Sequence, residues 1–220
     1  MNIYVIADTH FFHDNIIDYC KRPFKDSTQM NKTLITNWNS TVQKEDLVIV
    51  LGDIAFSRSA PQLAEILKSL NGTKVLVRGN HDKRSRHWYL TNGFVFVCDS
   101  FTFNDIIFTH KPVSLDILVK FTLNIHGHIH EKTMKDRRYV NVGAEQVKYT
   151  PILLQKVIDN ATKIVNEVVI TPQTSECPPN FICIHCGMDT RQRNPSGYCD
   201  HLYYPETCQI CQDILKQRIK

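Results

Sequence analysis

Arg78-Gly79-Asn80-His81-Asp82 is the stretch on which the reading of this chain turns. It closes a short apolar run, Lys74 to Val77, whose composition predicts a buried strand. Four other stretches have the same placement: Asp8-Thr9-His10, Gly52-Asp53, Thr109-His110 and Gly127-His128-Ile129-His130 each directly follow a β-branched, apolar segment. Side chains at successive strand ends lie along one edge of a sheet, where open α/β architectures bind ligands. Within two of the stretches the chemistry-bearing residues alternate, Asp8 with His10 and His128 with His130. If those segments are extended, each pair shares a face and forms a ready chelate.

Working outward, Asn2 to Ile6 predicts strand one and Leu47 to Leu51 strand two, the latter an unbroken apolar run of the kind buried on both faces. Leu34, Ile35, Trp38 and Val42 recur at helical steps, so Thr28 to Gln43 reads as an amphipathic helix. Pro61 to Leu70 reads as another, with proline in its first turn and Asn71-Gly72 stopping it. A helix over Lys83 to Leu90 follows the central motif. Phe94 to Val97, Ser100 to Phe103 and Ile106 to Thr109, joined by tight polar turns, predict a second, more antiparallel sheet. Ser114 to Lys120 predicts a short helix, Leu123 to His126 and Tyr139 to Val142 strands, Leu153 to Val165 a helix, and Val168 to Ile170 a further strand. The linker chemistry of Thr171 to Glu176, with Pro178-Pro179 just after, predicts a domain boundary, dividing the chain into 1–171 and 172–220.

The 220 residues, 42% hydrophobic and 22% charged, suit one full-size globular domain with a small appendage. Met1 to Ala7 lacks a basic flank and runs into Asp8, so it reads as a strand and not a signal peptide. No apolar run is long enough for a bilayer, and a cytoplasmic location is expected. The net charge of +4 belongs wholly to the first domain, since residues 172–220 are neutral. Its basic residues bunch beside the motifs: Lys21, Arg22 and Lys25; Lys83, Arg84 and Arg86; Lys132, Lys135, Arg137 and Arg138. They read equally as a solvated face or as a rim for an anionic substrate.

Six of the eight cysteines fall between Cys177 and Cys211, four of them as Cys183-x-x-Cys186 and Cys208-x-x-Cys211. Metal explains that spacing better than disulfides do. The tail resembles a treble-clef or zinc-ribbon finger, with one structural zinc on Cys183, Cys186, Cys208 and Cys211 and with Cys177, Cys199 and His201 as alternative ligands. Four thiolates around one zinc would take the neutral tail to a charge of about −2, which argues against phosphate binding by bulk charge. A protein partner or a lid is as plausible a role as nucleic-acid binding.

Taken in order, the five motifs resemble those of the calcineurin-like metallophosphoesterases, over roughly residues 1 to 155. The resemblance implies an α/β, four-layer sandwich of two facing mixed sheets flanked by helices. It implies two divalent ions, with Asp8, His10 and His130 on one, Asn80, His110 and His128 on the other, and Asp53 on both. Oxygen and imidazole ligands suit manganese, iron, zinc or nickel. It further implies attack on phosphorus by a metal-bridging hydroxide, with His81 steadying the transferring group or protonating the leaving oxygen and Asp82 fixing the His81 tautomer. His13 and Arg78 are candidate substrate contacts, although His13 equally suits a cap for the following helix. Phosphodiesters such as nucleotides, cyclic nucleotides or nucleic acid are the preferred substrates on the ground of the basic clusters. Two readings stand beside it: a phosphomonoesterase or protein phosphatase on the same metals, and a non-catalytic, zinc-finger nucleic-acid-binding scaffold.

Overall fold

The computed structural model describes residues 1–57 and 59–170, with 163–170 as backbone only. The boundary and the cysteine-rich finger expected beyond residue 171 lie outside the described residues. Residues Met1–Asn166 form one compact unit.

Four parallel strands, β1 (Ile3–Ile6), β2 (Leu47–Val50), β3 (Thr73–Val77) and β4 (Phe94–Cys98), lie in the order β4-β3-β2-β1. The short β9 (Ile152–Leu153) adds to β1 antiparallel and completes the first sheet. The crossovers are helical: α1 (Asn15–Tyr19) and α2 (Ser27–Thr41), then α3 (Ala60–Ser69), then α4 (Arg86–Thr91). Local chemistry sets where each begins. Asp26 accepts from Gln29 N to cap α2, and Ser59 caps α3 with proline in the first turn. Helix α4 starts at Arg86 and not at Lys83 because the Ser85 side chain accepts from Trp88 N, fixing the N-cap there.

The second sheet runs β5 (Ser100–Phe103), β6 (Ile106–Thr109), β7 (Leu123–His126) and β8 (Tyr139–Asn141), with the single-turn α5 (Leu115–Leu118) between β6 and β7. Only β5 and β6 pair antiparallel; β6, β7 and β8 are parallel. The expected, more antiparallel sheet is therefore corrected in two ways. Phe94–Cys98 belongs to the first sheet, and the second is mixed with mainly parallel pairing. The closing helix α6 (Leu154–Ile170) also absorbs the strand expected at Val168–Ile170: Ile164, Val165, Val168 and Val169 keep a helical spacing, which outweighs their β propensity.

Strand alternation builds two cores. Tyr4, Ile6, Val48, Val50 and Leu76 face the helices and meet Ile17, Leu34, Trp38, Leu63, Leu67 and Tyr89. Val5, Ala7, Ile49, Leu51 and Val77 face the other way, onto Ile106, Phe108, Leu123, Ile125 and Val142. The first sheet is thus buried on both faces, between a helical layer and the second sheet. Helix α6 adds Leu154, Val157 and Ala161 to the core that holds the second sheet.

Candidate metal centre

All five motifs leave the strands at one edge, and in three of them the backbone is left-handed: φ is 55° at Asp8, 50° at His10, 51° at Asp53, 70° at His128 and 52° at His130. Non-glycine residues rarely adopt this region, and its concentration here marks a constrained site. It also corrects the expected geometry of the two chelating pairs. Asp8 with His10 and His128 with His130 are brought together by bends after β1 and β7, not by alternation along an extended segment. Close backbone approach completes the cradle. A Cβ at Gly79 would collide with the Asp53 carboxylate, and one at Gly127 with that of Asp8.

Two groups of side chains result. Asp8, His10 and His130 form one, Asp53, His110 and His128 the other, each with candidate ligand atoms within 4.8 Å of one another. Asp53 stands between them: its Oδ2 is 3.3 Å from His110 Nε2 and 3.8 Å from His10 Nε2. Asn80 joins the second group, with Oδ1 3.1 Å from His110 Nε2.

The atoms turned inward have the chemistry a cation requires. His110 Nδ1 sits 2.8 Å from Leu51 O and donates to it, which leaves Nε2 with a lone pair. That lone pair meets Asp53 Oδ2, Asn80 Oδ1 and, at 3.2 Å, His128 Nδ1. In the other group Asp8 Oδ1 and His10 Nε2 are buried without a hydrogen-bond partner, and His130 Nδ1 has only Glu145 Oε1 beside it, at 3.3 Å. Buried polar atoms are ordinarily satisfied, so converging orphans and lone pairs fit divalent metal. Against the cost of burial, Asp53 and Asp8 raise His110, and Glu145 and Asp8 raise His130, so a cation there takes the place of a proton. Burial lifts Asp8 to about 7 despite His110 and His130, whereas for Asp53 the same cost is outweighed by His110 and the His81 amide, leaving it at about 2. Burial also holds His10 well below the ordinary imidazole value and His128 near 4, so both are neutral donors.

A supporting layer holds these groups. Asp82 is 1% exposed, and its carboxylate accepts from Asp53 N at 2.9 Å, Ile54 N at 3.1 Å and Gly79 N at 2.8 Å. None of its recorded bonds reaches His81, so the expected role in fixing the His81 tautomer is corrected: three backbone donors occupy the carboxylate. His81 is 35% exposed at its side chain and offers its N–H to Asp53 Oδ1 at 2.8 Å, with Nε2 4.0 Å from Oδ2. Arg78 turns back on the loop, Nη2 donating to Asp82 O at 3.1 Å. His13 does not cap α1, whose N-cap is Asp14; its Nδ1 lies 3.3 Å from His10 Nδ1 and its ring stacks on Phe56.

Of three further functional candidates, Glu145 and Phe56 were not singled out from sequence and Arg22 was placed on the basic rim. Arg22 is buried, so it is not a rim residue. It donates to Asp8 O at 2.8 Å and Thr9 O at 3.1 Å while Nε and Nη2 bind Glu145 Oε1 at 2.9 and 2.7 Å. Glu145 Oε1 in turn lies 3.3 Å from His130 Nδ1. Cys20 shares that corner, but burial, followed by Glu145, pushes its thiol up to about 12, far from a thiolate ligand. Phe56 is the third. Of the remaining basic residues, Arg86 pairs with Asp99 and Arg138 with Asp136 at 2.7 Å, so part of the positive charge is locally balanced.

A family model described as calcineurin-like phosphoesterase matches residues 1–214. An uncharacterized protein of Methanocaldococcus jannaschii is 39% identical over 171 residues, 71% of this chain and 89% of the relative. The crystal structure of a protein of unknown function from Aquifex aeolicus superposes with a TM-score of 0.60 at 27% identity, covering 72% of this chain and 98% of that one. Pseudomonas putida nuclease MPE gives a TM-score of 0.42 at 18% identity, over 58% and 61% of the two chains.

Proposed function

Because this chain belongs to the calcineurin-like phosphoesterase family, it is a metal-dependent phosphoester hydrolase, and we propose that it is a binuclear phosphodiesterase acting on nucleotidic substrates. Asp8, His10 and His130 would hold one cation and Asn80, His110 and His128 the other, with Asp53 placed to serve both. The observation that carries this reading is the position of Asp53 Oδ2, within 3.3 Å of a donor in one group and 3.8 Å of a donor in the other.

When bound, two divalent cations neutralise phosphoryl oxygens and make water a nucleophile at neutral pH. The chain supplies the rest. His110 is fixed as the tautomer with a proton on Nδ1 by Leu51 O, and Asp53 is held in orientation by the His81 amide. The exposed side of His81, beside Asp53 but outside both ligand groups, is placed to hydrogen-bond a phosphoryl oxygen and hand a proton to the leaving oxygen. Exposed Lys83 and Lys132, close in sequence to the site loops, favour substrates with further negative charge, hence diesters within a nucleotide chain over small monoesters.

The test is a panel on metal-reconstituted protein: a chromogenic diester, a monoester, cyclic nucleotides and short RNA, with metal counted per chain. Two metals and preference for diesters are expected. Preferred hydrolysis of the monoester would move the reading to a phosphatase, and no hydrolysis of any substrate with two metals bound would support the scaffold reading. For the tail we keep the proposal of one structural zinc on Cys183, Cys186, Cys208 and Cys211.

A further inference from the structure

Phe56 lies where a phenyl ring is hard to explain by packing alone. It is 53% exposed, yet its position is fixed: its N–H donates to Phe11 O at 2.9 Å, and Phe11 and Ala55 pair in a short β-bridge. One face stacks on His13, with centroids 4.5 Å apart and planes 23° from parallel, and its edge meets His81 at 5.6 Å and 70°. Both histidines in turn touch His10, at 5.2 and 5.4 Å between centroids. Four rings therefore close a circuit that begins at a candidate metal ligand and ends at a solvent-facing aromatic one ring away. Single exposed apolar side chains are ordinary on protein surfaces. A rigid one stacked beside the catalytic histidine is not accounted for by burial.

The His13 orientation is part of the device. His10 Nε2 is buried without a partner, and with a cation there its Nδ1 would carry the proton and donate to His13 Nδ1, 3.3 Å away, which orients the His13 ring under Phe56. Cationic chemistry adjoins the platform: Arg84 lies 4.7 Å over the Trp88 ring and donates to Ser57 O, the residue after Phe56.

We infer that Phe56, backed by His13, is a stacking platform for the unpaired base next to the scissile phosphodiester. Every base has a π-face, so such a platform selects single-stranded nucleotidic substrates without reading their sequence, and it lies two ring contacts, of 4.5 and 5.2 Å between centroids, from His10. The inference rests on the phosphodiesterase reading and specifies its substrate class.

Binding separates the two. A short phosphorothioate-linked strand bearing one thymine, which resists hydrolysis, is compared with the fully abasic strand by fluorescence anisotropy on the protein as purified. The wild-type chain is expected to bind the base-bearing strand about 5- to 150-fold more tightly. Phe56→Ala should erase that ratio and Phe56→Trp should restore it. No preference for the base in the wild type, or a preference that survives Phe56→Ala, overturns the platform. Hydrolysis of methyl p-nitrophenyl phosphate, run alongside, reports on the phosphodiesterase reading alone: turnover without base preference leaves that reading standing and removes the platform, and base preference without turnover keeps Phe56 as a base-binding surface while overturning its place beside a scissile phosphate.

Discussion

Asp82 Oδ2 receives the backbone N–H of Asp53 at 2.9 Å, so the residue three places after Gly79 holds the loop that carries the proposed bridging ligand. Asp82 also accepts from Ile54 and Gly79, at 1% exposure. Asp82→Ala strands two buried donors and a part-buried one, and a loss of about 3 kcal/mol in chemical denaturation is expected. A loss under about 1 kcal/mol would mean that water replaces the carboxylate.

Asp53→Asn should abolish turnover and drop the bound metal below two per chain, since one oxygen faces both groups. Metal analysis together with single-substrate kinetics decides it; near wild-type rates in the reconstituted variant would rule out a bridging role.

His81 and Asn80 are neighbours with opposite expected phenotypes. His81→Ala should lower kcat roughly 100- to 10,000-fold with metal content intact. Asn80→Ala should lose metal from the group containing His110, to which Asn80 Oδ1 points at 3.1 Å. A His81 variant that arrives without metal would place its ring among the ligands.

Glu145→Gln tests the brace behind His130. Removing the charge that Arg22 and His130 share should weaken one metal roughly 10- to 100-fold and leave the other unchanged, read by titration of the metal-free protein. Equal weakening of both metals, or of neither, would make the Arg22–Glu145 pair a matter of folding only.

Away from the site, Asp46 offers a pH-dependent test. Its carboxylate accepts from Asn2 N at 2.7 Å and Gln43 N at 2.9 Å, which lowers its pKa below the usual 3.8. A carboxylate depressed in the folded state adds stability that is complete above the unfolded value and is lost as pH falls through the folded one. Asp46→Asn should therefore be less stable than wild type at pH 7, with the gap closing below about pH 3.8. A gap of constant size from pH 7 to 3 would assign the effect to shape and not to charge.

The strands and the five motifs were legible because apolar, β-branched runs stop abruptly at polar residues, as at Val77-Arg78. The pairing partner of Phe94–Cys98 was not, because a run after Asn92-Gly93 reads the same whether it turns back as a hairpin or joins Thr73–Val77 in parallel. The grouping of Asp8 with His10 was foreseeable from spacing, its geometry was not, since left-handed φ is uncommon even for Asp and His, the types enriched in it, and the enrichment does not single out positions. Arg22 and Glu145 are 123 residues apart, and nothing local marks either as a partner. Asp82 was assigned to the wrong neighbour because adjacency to His81 suggested a side-chain contact, while the unsatisfied amides of the Asp53 loop claimed it first.

The first sheet spends both faces of its strands on cohesion, one on helices and the other on the second sheet. The candidate ligands follow one to three residues past the strand ends, at Asp8, Asp53, Asn80, His110 and His128. Heritable change can therefore reshape what the loops recognise without touching what keeps the chain folded, except at Asp82 and Arg22, where the two tasks meet. Those two positions should be the least permissive to drift, and a descendant with a new substrate should keep both while its surface at Phe56 varies.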